Sequence, residues 1–356
     1  MQNFRVDLHN GGPIIYNHQI KKYALNLKEQ GYSINNLVQK VNEYRAELLC
    51  NNLYPEYTAA WEASGVDVAV RTVGIFSNIP FSLDQILADV DLVCQLAASV
   101  EWIQVVKTYN DILSCKEEGK RGYLLMIESM EDVINYEEGP NILYHEGIRI
   151  VQPIYNYGNE IGSGCFDSVD YGLTEKGRTI ISRLCNHNMI IDYSHVGEKT
   201  ALDIMNYTSG RNIATHLLSS LFSHSRRAKG DTFFRELKNT GGFAALTVNP
   251  NFYPKGENME KDFLRQLEHL LNIMGEDNVG IGTDWDGPMP SFLSEKLGKE
   301  AERLKNSGYS LRKNNTFYNG MFDWPRIVQI IEHDFGKILA DKICGNNAIA
   351  FFKKNL

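Results

Sequence analysis

Apolar residues in this chain come in short, nearly unbroken runs that recur along its length. Eight stand out: FRVDLH at 4–9, VDVAVRTVG at 66–74, GYLLMIE at 122–128, IRIVQPIY at 148–155, MIIDYSH at 189–195, NIATH at 212–216, GFAALTVN at 242–249 and VGIGTD at 279–284. Such runs, rich in Val and Ile and without a polar side, predict strands covered on both faces. Between them the pattern changes to a helical period. SINNLVQKVNEYRAELL opens with Ser33 as N-cap, SLDQILADVDLVCQLAASV with Ser82 and TEKGRTIISRLCNHN with Thr174, while KDFLRQLEHLLNIMG stops at Gly275. Strand and helix alternating in this way predict an α/β fold, a parallel (β/α)8 barrel of the TIM type. No short fixed repeat argues for a solenoid. Residues 288–322 are charged and poorly periodic and predict a long excursion, and Trp324 to Phe352 predicts closing helices. The whole of 1–356 reads as one barrel domain.

The chemistry sits where these runs end. A barrel of this kind carries its active site at the C-terminal ends of its strands. Here the runs finish on His9, Glu128, Tyr155, His195, His216, Asn249 and Asp284. Each has a plain explanation when taken singly. A histidine can be satisfied inside a core, Glu128 can cap the following helix, and Asp284 and Asp286 can be turn residues before Gly287. Taken together, three imidazoles and two carboxylates at one barrel mouth form the ligand set of Zn²⁺ or a similar divalent metal. Within GIGTDWDG the apolar and small residues stop at Thr283, so Asp284 is the first polar residue at the mouth. Asp286 precedes Gly287 and Pro288 in a turn signature. His18, His145, His187, His224, His269 and His333 fall on helices or loops and read as surface residues.

Composition narrows the partners. The apolar share of 43% suits a large core, and the net charge of −8 is spread along the chain. No Lys/Arg run offers a nucleic-acid face, and no basic amphipathic stretch offers a membrane surface. No apolar run approaches the roughly 18 residues of a membrane span, and the first residues lack a secretory pattern. Cys50, Cys94, Cys115, Cys165, Cys185 and Cys344 are scattered without a CxxC pair. They read as reduced thiols of a cytoplasmic protein.

Several of these stretches resemble the renal (membrane) dipeptidase family, zinc peptidases related to the amidohydrolase barrels. They are VDLHN, LLMIES, GLTEKGRTIISRLCNHNMIIDYSHVG, NIATH, HSRRAKGDTFFRELKNTGG, VGIGTDWDG and ICGNN. The resemblance implies His9 as a ligand of one metal, Glu128 as the bridging carboxylate, and His195 and His216 as ligands of the other metal. His216 is preferred to His224 because its spacing to SRR fits. The resemblance also implies that Arg227 binds the substrate's C-terminal carboxylate, for which a planar two-pronged donor is suited. Asp284 would lie near the free α-amino group and the reacting centre. Tyr253 would contact substrate, with Phe252 one residue away as the alternative.

Two positions depart from the family pattern. Its His-x-Asp motif stands here as His9-Asn10-Gly11, so one aspartate ligand is absent. Water, Asp7 or a substrate group has to complete that shell. Tyr155 stands where the family has a histidine that polarises the scissile carbonyl. A tyrosine hydroxyl donates to an oxyanion but carries no positive charge.

The expectation is a metal-dependent dipeptidase that uses Zn²⁺, with one site tight and the second weakened or absent. A metal-activated water attacks the amide, Glu128 holds the metal, Asp284 moves a proton to the leaving amine and Tyr155 steadies the oxyanion. The partner is a small-molecule dipeptide, and a homodimer is an allowed state. Two other readings stay open. One is a non-catalytic ligand-binding barrel with one metal or none, which Gly11 favours and the joint retention of Glu128, His195, His216, Arg227 and Asp284 opposes. The other is a lyase or tailoring enzyme acting on a modified amino acid, which a one-metal site beside Tyr155 would suit.

Overall fold

The computed structural model describes residues 3–76, 79–80, 82–208, 210–253, 258–284 and 317–356. The strands among them are β1 Val6–Asp7, β2 Val68–Thr72, β3 Ile75–Phe76, β4 Ile79–Pro80, β5 Ile103–Val106, β6 Arg121–Ile127, β7 Ile150–Val151, β8 Ile190–Asp192, β9 Asn212–Leu217, β10 Phe243–Leu246 and β11 Val279–Ile281. One sheet runs β1-β2-β6-β7-β8-β9-β10-β11, and every neighbouring pair is parallel. These are the eight runs expected from the hydrophobic pattern. The path returns to its start through Leu8 N–H to Ile281 O and Asp284 N–H to His9 O, both 2.9 Å. The result is a nearly closed α/β barrel with helices around it.

Two features lie outside the expectation. β5 is a ninth strand of the same sheet and pairs with the first half of β6, from Ile103↔Arg121 to Val106↔Leu124. β7 takes the second half, at Met126↔Ile150 and Ile127↔Val151. β3 and β4 form a separate antiparallel pair. The strands are also shorter than the apolar runs. Only Val6–Asp7 of residues 4–9 is ladder-paired, for instance. At the mouth the run leaves the regular ladder, and its last side chains turn to the site.

Side chains alternate across each strand. Val68, Val70, Leu124, Met126, Ile190 and Ile213 share one apolar cluster with Phe351 and Phe352 from the C-terminal helix. Ala69, Tyr123, Leu125, Ile191 and Ala214 face the other way, into the layer packed on the helices. The expected caps are in place. Ser33 Oγ accepts from Asn36 N–H, Ser82 closes a capping box with Gln85, Thr174 Oγ1 accepts from Gly177 N–H, and Gly275 ends its helix at φ 83°.

The closing segment consists of helices Trp324–Phe335, Lys337–Asp341 and Asn347–Asn355, with a π-turn at Lys342–Asn346. This turn is a clasp. A Cβ on Gly345 would stand 2.0 Å from Phe4 O, so only glycine fits there. Asn346 Oδ1 accepts from Phe4 N–H, and Asn347 Nδ2 donates to Val279 O at 2.9 Å. The ICGNN stretch thus ties together the starts of β1 and β11. Of the expected excursion, residues 288–316 lie outside the described part, as does Asp286. Met321–Asp323 is a 3₁₀ turn. All six cysteines are free thiols.

Candidate metal centre

Five of the strand-end residues meet at the mouth. His9 follows β1, Glu128 follows β6, His195 follows β8, His216 lies near the end of β9, and Asp284 follows β11. Glu128 Oε1 is the hub. It lies 3.1 Å from His9 Nε2, 3.7 Å from His195 Nε2 and 3.8 Å from His216 Nε2. His195 Nε2 and His216 Nε2 are 3.0 Å apart, and His9 Nε2 is 3.7 Å from Asp284 Oδ1. Two ligand triads follow, each with its donor atoms within 4.8 Å of one another: Glu128, His195 and His216, and His9, His216 and Asp284.

The electrostatics suit a cation. Burial, with Arg227 nearby, pushes His9 down to about 3, and His195 and His216 well below the usual imidazole range. All three are therefore neutral, the form that ligates metals. Burial and the neighbouring Asp284 push Glu128 well above the ordinary carboxylate range. Burial raises Asp284 to about 6. Glu128 Oε1 is buried without a hydrogen-bond partner, because the close approach of His9 is not aligned as a hydrogen bond. A buried orphan oxygen ringed by neutral imidazoles fits a divalent cation, which takes both charge types of donor at once.

Two carboxylates below the mouth organise it. Asp7 Oδ1 accepts from Thr283 N–H at 2.9 Å, and its Oδ2 lies 2.7 Å from Thr283 Oγ1. Asp192 repeats the arrangement with Thr215, at 2.9 Å and 2.8 Å. In both cases the next residue is a candidate ligand, Asp284 or His216. Burial raises both aspartates, and their hydrogen-bond donors pull them back down. Asp7 also accepts from His9 N–H and from Trp324 Nε1–H. That corrects one expectation: Asp7 is fully engaged between strands and is not the group that completes the His9 shell. Gly11 leaves room for one, since a Cβ there would meet no described atom within 4 Å.

The remaining expected residues are placed as follows. Tyr155 is half-buried and stacks on His195, with ring centroids 4.1 Å apart. Arg227 is buried, donates from Nε to Ser194 O at 3.2 Å, and lies over the Phe252 ring at 5.1 Å. Its neighbour Arg226 is exposed and donates to Asp167 O. Tyr253 turns its hydroxyl to Thr247 O at 2.6 Å, so the aromatic ring under Arg227 belongs to Phe252. Asn249 Nδ2 donates to Asp284 O at 2.8 Å and lies 3.1 Å from Asp284 Oδ2. It holds a backbone at φ 51°, a region few residues other than glycine adopt. His224 and His333 are exposed, as expected, whereas His269 is mostly covered and pairs with Asp231 at 2.8 Å.

Sequence reasoning missed the supports of the candidate ligands. Asn156, at φ 57°, brings its Oδ1 within 2.7 Å of His195 Nδ1. Thr215 Oγ1 is 2.8 Å from His216 Nδ1. Gln152 Nε2 donates to Glu128 O at 2.8 Å. His9 Nδ1, in contrast, is buried with no hydrogen-bond partner.

Comparisons with known proteins bear on the family and the fold. The sequence model of the family described as membrane dipeptidase (peptidase family M19) matches residues 2–296. An uncharacterised protein in the pqqA 5' region of Klebsiella pneumoniae is 28% identical over 231 residues, 60% of this chain and 84% of that protein. Dipeptidase tcpJ of Claviceps purpurea is 27% identical over 190 residues, 52% of this chain and 44% of that protein. Among solved structures, a metallopeptidase of Rhodobacter sphaeroides holding a phosphinate mimic of the dipeptide L-Ala-D-Ala shares the fold. Its TM-score is 0.74 over 100% of both chains, at 17% identity.

Proposed function

This chain belongs to the membrane dipeptidase family, and from that premise we propose that it hydrolyses the amide bond of dipeptides or closely similar small amides. The observation that carries the proposal is the convergence of three neutral imidazoles on the buried, unpartnered Oε1 of Glu128. Glu128, His195 and His216 would hold one divalent metal tightly, with Zn²⁺ matching the nitrogen and oxygen donors. His9 and Asp284 would hold a second metal weakly, because Gly11 brings no carboxylate. A bound divalent metal supplies a Lewis acid that polarises a carbonyl and lowers the pKa of a water.

The chain's own residues do the rest. Arg227 is a buried guanidinium with no carboxylate in ion-pair range among the described residues. An anionic ligand would offset that uncompensated charge, and the free carboxylate of a dipeptide is the matching group. Asp284, held up at about 6, takes a proton near neutral pH and passes it to the leaving amine. Tyr155 lies against His195 and offers its hydroxyl to the developing oxyanion. No helix among the described residues is long and apolar enough to cross a membrane, and the free thiols suit a reducing, cytoplasmic setting.

The test is a panel of dipeptides assayed for amino-acid release, with metal content per chain measured by elemental analysis on the same samples. Release from at least one dipeptide that chelation abolishes supports the proposal. Gly11 favours a second reading, a one-metal lyase or tailoring enzyme. A metal-loaded protein that releases no amino acid from any member of the panel would select it.

A further inference from the structure

For His195 and His216 to serve the Glu128 site, both must present a bare Nε2. Contacts on the far side of each ring decide whether they do. His195 Nδ1 faces Asn156 Oδ1 at 2.7 Å, and that oxygen also takes the Cys165 thiol at 3.7 Å. An amide oxygen only accepts, so the His195 proton is on Nδ1. His216 is governed less directly. Its Nδ1 faces Thr215 Oγ1 at 2.8 Å, and a hydroxyl can either donate or accept there. The choice lies with Asp192. Its Oδ1 accepts from Ser194 N–H, Ser194 O–H and Thr215 N–H, at 3.2, 2.7 and 2.9 Å. Its Oδ2 has Thr215 Oγ1 at 2.8 Å. A carboxylate there takes the single hydroxyl proton of Thr215. The hydroxyl oxygen can then only accept from His216, which favours the imidazole proton on Nδ1 over the competing form in which His216 Nε2–H donates to His195 Nε2, 3.0 Å away.

We propose that Asp192, acting through the Thr215 hydroxyl, is a positioning residue that fixes His216 as the tautomer with a bare Nε2, as Asn156 does for His195. This rests on the metallohydrolase reading above, but the tautomer itself does not. Asp192→Asn is the informative change. Three donors at Oδ1 hold the amide carbonyl on that side, so the amide NH₂ must face Thr215 and donate to it. The Thr215 hydroxyl then turns its proton to His216 Nδ1, and His216 is driven to the Nε2–H form. Shape and hydrogen-bond count are nearly conserved, while the ligand nitrogen is blocked.

The experiment uses the 356-residue chain, wild type and the variants Asp192→Asn, Thr215→Ser and Thr215→Val. The metal-free proteins, labelled with ¹⁵N-histidine, report the His216 tautomer by long-range ¹H–¹⁵N correlation. Zinc affinity is read by competition with a chromophoric chelator. Expected are the Nδ1–H form in wild type and Thr215→Ser, and the Nε2–H form in Asp192→Asn. Zinc binding should weaken about 10–100-fold in Asp192→Asn and Thr215→Val, the usual effect of losing a ligand's outer partner, and stay near wild type in Thr215→Ser. An Nδ1–H form in Asp192→Asn, or zinc affinity there within twofold of wild type, overturns the proposal. If Asp192→Asn does not fold, Thr215→Val against Thr215→Ser decides, and equal zinc affinities overturn it. If the wild type binds no divalent metal, the hydrolase reading fails, and the tautomer of the metal-free protein still decides this one.

Discussion

Gly11→Asp should convert the weaker metal position into a strong one. A Cβ at Gly11 has no described atom within 4 Å, and the backbone there is outside the left-handed region, so the side chain enters without a clash or backbone strain. Its cost is electrostatic. Glu128 and Asp284 already stand beside His9, at 3.1 and 3.7 Å from Nε2. A further carboxylate about 5 Å from either is repelled by roughly 3 kcal/mol at an effective dielectric near 20, before protonation relieves part of it. The metal-free variant should therefore melt below the metal-free wild type. With metal present the gap should narrow. Losing an outer partner typically costs about 10–100-fold in metal affinity, and restoring a direct ligand should return at least that much. That is roughly 1.4–2.7 kcal/mol of added stabilisation once the site is saturated. The assays are zinc titration against a chelator, elemental analysis, and thermal unfolding with and without zinc. Expected are one tight zinc in wild type, two in Gly11→Asp, and melting curves that draw closer together when zinc is added. Two equally tight zinc ions in the wild type, or a variant whose second zinc binds no more tightly, would refute the reasoning.

Three further outcomes are expected. Asp284→Asn keeps the shape but removes the proton acceptor, so turnover on the best dipeptide should fall on the order of 10²–10⁴-fold while the Glu128 site retains its zinc; substantial turnover would exclude Asp284 as the acid–base group. Arg227→Ala should cost about 1.5–3 kcal/mol in kcat/KM on free dipeptides and much less on C-terminally amidated ones; equal losses would show that Arg227 only braces the Ser194 carbonyl it touches. Because burial holds Glu128 above the usual carboxylate range and the three histidines below the usual imidazole range, protons released on zinc binding near pH 7 should come from carboxylates and not from the imidazoles. A further fraction should come from Asp284 as pH falls to about 6, so affinity climbs with pH. Calorimetry in buffers of different ionisation enthalpy counts the protons, and a release of about three would mean the imidazoles start protonated.

The ring of strands was legible because burial on both faces leaves continuous apolar runs, and the helix starts because their caps are made by neighbours in sequence. β5 escaped for the opposite reason. IQVV is short, its Gln104 and Val105 are only half-buried, and it pairs with β6 alone. The candidate ligands were legible as polar residues where polar residues are out of place. Their supports were not, because each depends on a direction that spacing does not encode. Asn156 reaches His195 only from a left-handed backbone. Asp7 could have been a ligand by its position beside His9, yet it points between strands to Trp324, 317 residues away. Phe252 and Tyr253 were separable only by the 3₁₀ turn Pro250–Phe252. One signal was available and unused: a threonine immediately precedes the ligand in both Thr215-His216 and Thr283-Asp284.

The seam between β1 and β11 has a consequence for how the protein is made. It joins Thr283 to Asp7 across 276 residues of sequence. On a ribosome adding about 5–20 residues per second, the strand that bears His9 emerges roughly 14–55 s before its partner exists. Through that interval one edge of β1 and the apolar lining of the unfinished ring have nothing to cover them. Nascent chains of this protein are therefore natural clients for holding chaperones. His9 and Asp284 meet only when the seam shuts, so any metal loading through that pair would be confined to chains whose translation has passed β11.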